Sequence, residues 1–194
     1  MVDLSEEGYA VFTGAGCADL GAVPVYRRPL DLRGALRSGS APAALRRLGP
    51  AVPVLSLALW AADGLAGAAT RLAGARLVPA DRLDGRSDEV WEAARPHHPV
   101  LARRDRAALA WRIDGRPDAA RLRRYYLVRR GKAIGYAVLR PTTTGGVGSA
   151  VVVDYLAPPR WMAPLLLAAG RAARRDGAAA LSVKTRTPAD RTLR

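Results

Sequence analysis

The sequence predicts an α/β (α+β) fold, with a mixed, mainly antiparallel sheet flanked by helices. Three extended segments follow one another at Tyr125–Arg130, Ala133–Arg140 and Ser149–Leu156, and short turns join them. A helical segment then separates Ser149–Leu156 from a further short strand at Ala179–Val183. Because a helical crossover connects parallel neighbours, these two strands are expected to run in the same direction. The sheet is thus predicted to be antiparallel on one side and parallel on the other.

The composition is that of a globular protein with a strongly basic surface. Hydrophobic residues make up 49% of the chain and charged residues 25%, which excludes a disordered chain. A formal net charge of +14 favours acidic partners such as nucleic acid, anionic lipid or a phosphate-bearing cofactor. The alternative is a solvated arginine-rich surface that reflects the codon usage of a GC-rich bacterial genome. With Cys17 as the single cysteine, no intramolecular disulfide can form, and a reducing cytoplasm is expected.

The first 37 residues are predicted to be rich in strands. Tyr9–Phe12 and Ala22–Tyr26 read as extended pieces around a glycine-rich turn, and Pro24 favours an edge strand. Two short strands do not form a stable sheet alone, so they need a partner elsewhere.

Residues 38–75 are predicted to hold a linker, at Ser38–Pro42, and one helix over 53–72. The apolar stripe of this helix is expected at Leu55, Leu59, Ala62, Ala66 and Ala69. Asp63 and Gly64 interrupt its apolar run, so a buried or interfacial helix is predicted rather than a transmembrane span.

The remaining elements are predicted from local signals. A strand is expected at Arg76–Leu83, and Ser87 is placed as the N-cap of a helix over Asp88–Ala94. A second helix over 104–113 is expected to use Trp111 for apolar contacts. A third is expected over 161–176, with Pro164 in its first turn.

Four segments give the sequence a resemblance to a known superfamily: Asp84–Trp91, Arg104–Trp111, Tyr125–Leu139 and Val152–Leu156. Their pattern resembles the GNAT acyltransferases, and most closely the tandem-domain bacterial GNAT-like or peptidoglycan-bridge-like transferases. The resemblance covers about residues 76–186. It implies a GNAT-like domain over 76–194 that lacks its last strands, with residues 1–37 as a remnant of a preceding GNAT-like domain or as strands that complete the later sheet.

The resemblance implies an N-acyltransferase that moves an acyl group from acetyl-CoA or another acyl-CoA to an amine of a small molecule. It implies Asp154 and Tyr155 as catalytic candidates, and Leu156, Arg160 and Trp161 as cofactor-binding candidates. The Asp154 carboxylate could steer an amine, or form a salt bridge with an arginine. The Tyr155 hydroxyl could donate a proton to a leaving thiolate.

The segment Ala157–Ala163 departs from the family pattern. Family members begin the corresponding helix with a glycine-rich loop whose N–H groups hold a pyrophosphate. Here the segment has no glycine and two prolines, which lack N–H groups. A catalytically degenerate scaffold or binding module is therefore the alternative function.

Other motifs are assigned to structure rather than chemistry. Thr142–Gly148 is predicted as a hairpin loop rather than a phosphate cradle. His97 and His98 are placed in a loop, and no metal site is expected. The arginine clusters at 121–124 and 129–130 suggest nucleic-acid binding, but the aromatic residues of a base-stacking surface do not accompany them.

Overall fold

The computed structural model describes residues 6–17, 24–37, 51–98, 101–144 and 146–184. Six strands form one sheet: β1 (Val25–Pro29), β2 (Ala75–Ala80), β3 (Arg123–Arg129), β4 (Lys132–Thr144), β5 (Val147–Leu156) and β6 (Ala180–Lys184). Their order across the sheet is β1-β6-β5-β4-β3-β2. Only β5 and β6 run parallel, and the other neighbours are antiparallel. The mixed sheet predicted from the sequence is confirmed.

Helices pack on both faces of this sheet. The α-helices of the described residues are α1 (Glu6–Gly14), α2 (Leu32–Arg37), α3 (Val52–Leu72), α4 (Arg86–Ala94), α5 (Arg106–Leu109) and α6 (Pro159–Arg175). Helix α6 packs with Leu127, Ala137 and Leu139 on one face. Helices α4 and α5 pack with Tyr126, Tyr136 and Val138 on the other. Successive residues of β4 thus enter opposite cores, as strand geometry requires.

The β3–β4 hairpin shows why this part of the chain was predictable. Arg130 and Gly131 both have positive φ, 48° and 80°. Two such residues form the tight turn whose twist matches that of the flanking strands. The pairing of Arg129 with Lys132 closes the hairpin across this turn.

The N-terminal segment differs from its prediction in one of two elements. Residues Tyr9–Phe12 were expected to be extended, but they lie within α1, whose first turn begins with acidic residues that suit the helix dipole. The second expected strand is present at Val25–Pro29, three residues later than predicted. It pairs antiparallel with β6 at the sheet edge, so this segment completes the same sheet. The predicted linker at 38–42 and residues 185–194 of the predicted GNAT-like domain lie outside the described residues.

Two predicted helix starts are wrong by a few residues. Helix α4 begins at Arg86, so Ser87 lies inside the helix rather than at its cap, and its hydroxyl donates to the Asp84 carbonyl. Helix α6 begins at Pro159, which makes Pro164 its sixth residue instead of a first-turn residue. The two consecutive prolines before Arg160 start this helix earlier than the apolar pattern indicated.

Trp111 does not make the apolar contacts predicted for it. Helix α5 is capped by Asp105, whose carboxylate accepts the Ala108 N–H at 2.9 Å, and it continues into a wider π-helical turn over Ala110–Asp114. Leu109 of the helix and Ile113 of the turn are buried, but Trp111 is 81% exposed. A π-helical turn has more residues than an α-helical turn, so the side chains that follow it point in other directions than regular helical spacing predicts.

The packed side of helix α3 overlaps the predicted stripe only in part. Leu55, Leu59 and Ala66 are half-buried, whereas Ala62 and Ala69 are exposed. The fully buried residues are Val52, Asp63, Gly67 and Thr70. Asp63 forms ion pairs with Arg28 of β1 and Arg174 of α6. A buried charge needs such partners, so these ion pairs allow Asp63 to lie on the packed side.

Candidate functional site

Among the described residues, β5 and β6 pair along only part of β5. They pair at Ala150–Val152 with Leu181–Val183, whereas β5 continues to Leu156. The described part of β6 ends at Lys184, one residue beyond the last pair. Of the last four residues of β5, Asp154, Tyr155 and Leu156 are paired with β4 on one edge. We call the other edge of Val153–Leu156, which has no β6 partner among the described residues, the β5 opening.

A β-bulge at Val153 sets the direction of the side chains beyond the opening. On β4, Leu139 faces Val152 and the adjacent Val138 faces Asp154, so Val153 is the extra residue. Ala150 and Val152 point into the core beside α6. Strict alternation would send Asp154 into the same apolar core. The bulge reverses the phase, so Asp154 lies on the face of α4 and α5.

Gly135 on β4 allows the end of β5 to lie close to its neighbour. A Cβ atom at this position would lie 3.0 Å from the Ala157 Cβ and 3.2 Å from the Leu156 carbonyl oxygen. Such distances are shorter than ordinary van der Waals contact. The glycine is therefore required for the close approach of the segment that connects β5 to α6.

Asp154, one of the two predicted catalytic residues, is held in a buried ion-pair network. Its carboxylate lies 2.9 Å from Arg104 Nε and also binds the Arg112 guanidinium. The N–H of Tyr155 donates to the same carboxylate at 2.8 Å. Its side chain is 2% exposed. Asp154 thus forms salt bridges with two arginines at the end of β5. This is the second of the two roles that the sequence allowed for its carboxylate.

Tyr136 faces this network from β4. The side chain is fully buried, and its hydroxyl has no group in hydrogen-bonding geometry among the described residues. Burial first, and the negative charge of Asp154 second, raise the pKa of Tyr136 well above its ordinary value. The phenol is therefore neutral.

His98 is a site residue that the sequence interpretation missed, because it assigned both histidines to a loop without function. The ring is half-buried, and it hydrogen-bonds to the backbone of Ala157 at the end of β5. Its Nε2 is buried without a partner in the described structure. Burial is the main cause that lowers the pKa of His98, and the charges of His97 and Arg104 add to it. A neutral imidazole thus lies beside the β5 terminus. Local sequence carried no signal for this tertiary position.

The other predicted residues occupy the same region but differ in exposure. Tyr155 is half-buried and packs on the core beside α6, and Leu156 is buried. Arg160 is exposed in the first turn of α6. Trp161 is partly buried, and the Arg129 guanidinium lies 5.3 Å from the centre of its ring.

The N-terminus of α6 is a poor fit for a pyrophosphate held by backbone N–H groups. Pro158 and Pro159 occupy the cap and first helical positions and have no N–H. The N–H of Trp161 already donates to the Pro158 carbonyl at 2.8 Å. In this first turn of α6, the exposed Arg160 side chain supplies a positive charge that could contact a phosphate. A nucleotide-bearing cofactor would therefore lack the backbone contacts that such a group requires.

Two further features of the described residues bear on the chemistry. They contain no group of three His, Cys, Asp or Glu side chains that could hold a metal ion. A cleft of about 880 Å³ lies between α4 and α5, lined by equal numbers of acidic and basic side chains. Its carboxylates already have partners: Asp88 accepts the Arg106 N–H at 2.7 Å, and Glu92 pairs with Arg95 at 2.9 Å. None of its lining residues belongs to β5, so it is separate from the opening.

Comparison with solved structures places this architecture among acyltransferase folds. N-myristoyltransferase of Saccharomyces cerevisiae with bound myristoyl-CoA is similar over 90% of this chain and 45% of its own, with 12% identity and a TM-score of 0.54. An aminoglycoside acetyltransferase from an uncultured soil metagenomic sample, in complex with sisomicin, matches 62% of this chain and 83% of its own, at 12% identity and a TM-score of 0.43. A Trypanosoma brucei acetyltransferase matches 59% of this chain and 85% of its own, at 17% identity and a TM-score of 0.40.

No family model and no curated protein matches the sequence. The structural likeness establishes a GNAT-like fold, which confirms the resemblance drawn from the sequence. This chain spans less than half the length of the N-myristoyltransferase that it resembles.

Proposed function

We propose that this protein is a GNAT-like acyltransferase that passes an acyl group from a thioester donor to an amine at the open end of β5. The observation that supports this function is that, among the described residues, β5 has no partner on β6 after Val152. An open strand edge offers backbone N–H and C=O groups that an extended ligand can bind as an added strand. A carbonyl bound there would lie next to ordered N–H dipoles, which stabilise negative charge as it develops on oxygen.

His98 is the proposed general base. An attacking ammonium group must lose a proton before or during acyl transfer, and a neutral imidazole can accept it. The depressed pKa keeps the His98 ring neutral at lower pH than a free histidine. The network of Asp154, Arg104 and Arg112 is assigned a positioning role, because its carboxylate is fully engaged.

The donor is proposed to be an acyl-CoA or a related thioester that is bound mainly through its acyl-pantetheine portion. The myristoyl-CoA complex of the structurally similar yeast enzyme supports an acyl-CoA in general. The prolines at the start of α6 argue against strong contacts to the nucleotide portion. The acceptor is proposed to be a small-molecule amine. A cytoplasmic location remains an expectation from the sequence.

A fragment series tests this proposal. Thermal unfolding of the full chain would be followed with acetyl-CoA, a long-chain acyl-CoA, S-acetyl-pantetheine and adenosine 3′,5′-bisphosphate. A ligand present at 100 times its Kd stabilises the folded state by about 2.7 kcal/mol. We expect stabilisation by the acyl-pantetheine compounds and none by the nucleotide fragment. Stabilisation by the nucleotide fragment alone would contradict the proposed binding mode.

Gly135→Val provides the matched variant for this titration. The added side chain would push against Leu156 and Ala157 and distort the end of β5. Gly85→Ala is the control, because a Cβ there meets no atom within 4 Å. Loss of the ligand-induced stabilisation in the first variant and its retention in the second is the expected result.

A non-catalytic scaffold is the second candidate function, and one observation favours it. The Pro158–Pro159 start of α6 removes N–H donors where the fold would otherwise bind a phosphate-bearing donor. If no acyl thioester stabilises the protein in the series above, the scaffold function replaces the transferase.

A further inference from the structure

Helix α3 presents an unusual surface opposite its packed side. Four of its large apolar side chains, Val54, Leu57, Leu65 and Leu72, are between 64% and 89% exposed. They recur at helical spacing, so they form one stripe along the outside of the helix. Single exposed apolar residues are common, but a continuous stripe of this kind marks an interaction surface. By length and composition alone, this helix could also cross a membrane.

The packed side of α3 argues against a spanning orientation. Asp63 forms ion pairs with Arg28 and Arg174, and Gly67 lies against the Arg171 side chain, whose Cζ would be 3.4 Å from an added Cβ. These contacts hold one side of the helix on the domain. The outer stripe is therefore available to a surface that lies alongside the helix, as in interfacial helices.

A basic pocket of about 560 Å³ lies along a flank of the same helix, between α3, the start of β2 and the end of α6, and none of the four stripe residues lines it. Five arginines line it: Arg71, Arg76, Arg171, Arg174 and Arg175. Asp63 is the one carboxylate among its lining residues, and Arg28 already shares that charge.

The excess of positive charge in this pocket acts on Arg171. Burial lowers the pKa of Arg171, and the charges of Arg71, Arg28 and Arg175 lower it further against the opposing effect of Asp63. Arginines that are brought together without enough carboxylates form a site for an anion, and guanidinium groups suit phosphate. The pocket lies at the C-terminal end of α6, whereas the β5 opening precedes its N-terminus.

We propose that this protein binds the surface of an anionic phospholipid bilayer, with a lipid phosphate in the arginine pocket and the outer stripe of α3 in the interfacial region. The charge of the pocket complements an acidic membrane, and the stripe supplies the apolar contact that a soluble phosphate ligand would not use. Trp60 lies at the rim of the pocket and is 61% exposed, which suits an aromatic ring at a membrane interface. This proposal does not depend on acyl transfer.

Co-sedimentation of the full chain with vesicles is the test. Vesicles of phosphatidylcholine alone would be compared with vesicles of equal parts phosphatidylcholine and phosphatidylglycerol. We expect binding to the acidic vesicles and little to the neutral ones, and binding should weaken as salt is added. Equal binding to both vesicle types would overturn the role of the arginine pocket.

Two double variants separate the pocket from the stripe. Arg71→Glu with Arg76→Glu is expected to reduce binding to acidic vesicles by at least about tenfold, since each basic residue near an anionic surface adds about fivefold. The control is Arg82→Glu with Arg121→Glu, which makes the same charge change at exposed residues outside the pocket. Equal losses in both variants would show a general charge effect and contradict a specific site.

Leu57→Ser with Leu65→Ser is expected to reduce vesicle binding while leaving the thermal unfolding midpoint unchanged, because both side chains are exposed. Trp111→Ser, at an exposed aromatic residue on the other face, is the control.

Two other outcomes would contradict the proposal. If inorganic phosphate binds the pocket but acidic vesicles do not, the ligand is a soluble phosphate and the membrane proposal fails. If the leucine variant instead converts a dimer to a monomer in light scattering, the stripe is a contact between copies and the proposal also fails.

Discussion

Arg104 Nε lies 2.9 Å from a carboxylate oxygen of Asp154, behind the last residues of β5. Arg104 comes from the loop before α5, and Asp154 reaches it because the bulge at Val153 turns its side chain to that face. The bulge therefore allows the Asp154 carboxylate to pair with Arg104 and Arg112 beside the open end of β5.

Asp154→Asn tests the strength of this link. The substitution keeps the side-chain shape but leaves Arg104 and Arg112 without a counter-charge, and breaking a buried pair costs 3–5 kcal/mol in general. Since Arg112 is about one-third exposed, solvent screening reduces the expected loss to about 2–3 kcal/mol. Urea unfolding measures it. Asp118→Asn, which removes a partly exposed pair with Arg116, should cause no measurable change. Equal effects at both sites would contradict a buried network.

A pair of tyrosine variants tests the buried hydroxyl on β4. Tyr136→Phe should leave stability unchanged or raise it slightly, because removing a buried hydroxyl without a partner relieves a desolvation cost. Tyr126→Phe should destabilise by about 1–2 kcal/mol, because its hydroxyl accepts the Asp84 N–H at 2.9 Å. The comparison uses denaturant unfolding of both variants. A large loss for Tyr136→Phe would indicate that its hydroxyl has a partner near Asp154.

The pH dependence of stability tests the environment of His98. Its folded-state pKa lies below the unfolded value, so the unfolded chain binds more protons as the pH falls through about 6.5. The contribution of His98 to stability is therefore present above that pH and decreases as the pH falls below it. In His98→Gln the free energy of unfolding should fall less between about pH 7.5 and about pH 5 than in the wild type. This range includes the ordinary histidine pKa of about 6.5.

His97→Gln is the control for that measurement, because His97 is exposed in the same loop. Because the His97 charge is only a lesser cause of the lowered pKa of His98, this variant should stay closer to the wild-type curve than His98→Gln does. Parallel curves for the wild type and His98→Gln would mean that the His98 ring is not shielded from solvent.

The sequence predicted the parts of the fold that local chemistry determines. The β3–β4 hairpin, the apolar β5 strand and the crossover helix α6 each carry their own pattern of glycine, alternation or helical spacing. The parallel pairing of β5 with β6 followed from those elements, and the structure confirms it.

The features that sequence reasoning missed depend on distant parts of the chain. The packed side of α3 includes the charged Asp63 because Arg28 and Arg174 pair with it, and no pattern within residues 53–72 encodes those partners. The position of His98 beside Ala157 likewise depends on how the loop after α4 meets the end of β5. The candidates Asp154, Tyr155, Leu156, Arg160 and Trp161 lie near this end, but their proposed functional roles remain predictions.

The edge position of β1 gives a further testable consequence. Its five residues pair with β6, and Leu30 next to it is buried beside α6. Leu30→Ala should destabilise the protein by about 2–5 kcal/mol, as expected for a fully buried leucine. Val25→Ala, at an exposed position of the same strand, should cost far less. A small effect of Leu30→Ala in urea unfolding would show that β1 is not an integral part of the sheet.

Hydrogen exchange of β5 with and without S-acetyl-pantetheine is the most direct measurement of the proposed donor site. We expect slower exchange of amides within Val153–Leu156, with little change at Tyr155, whose N–H already donates to the Asp154 carboxylate, and at Ala150–Val152, where β6 already pairs. Unchanged exchange over Val153–Leu156 at a saturating concentration of this thioester would contradict the assignment of the β5 opening as the acyl-donor site.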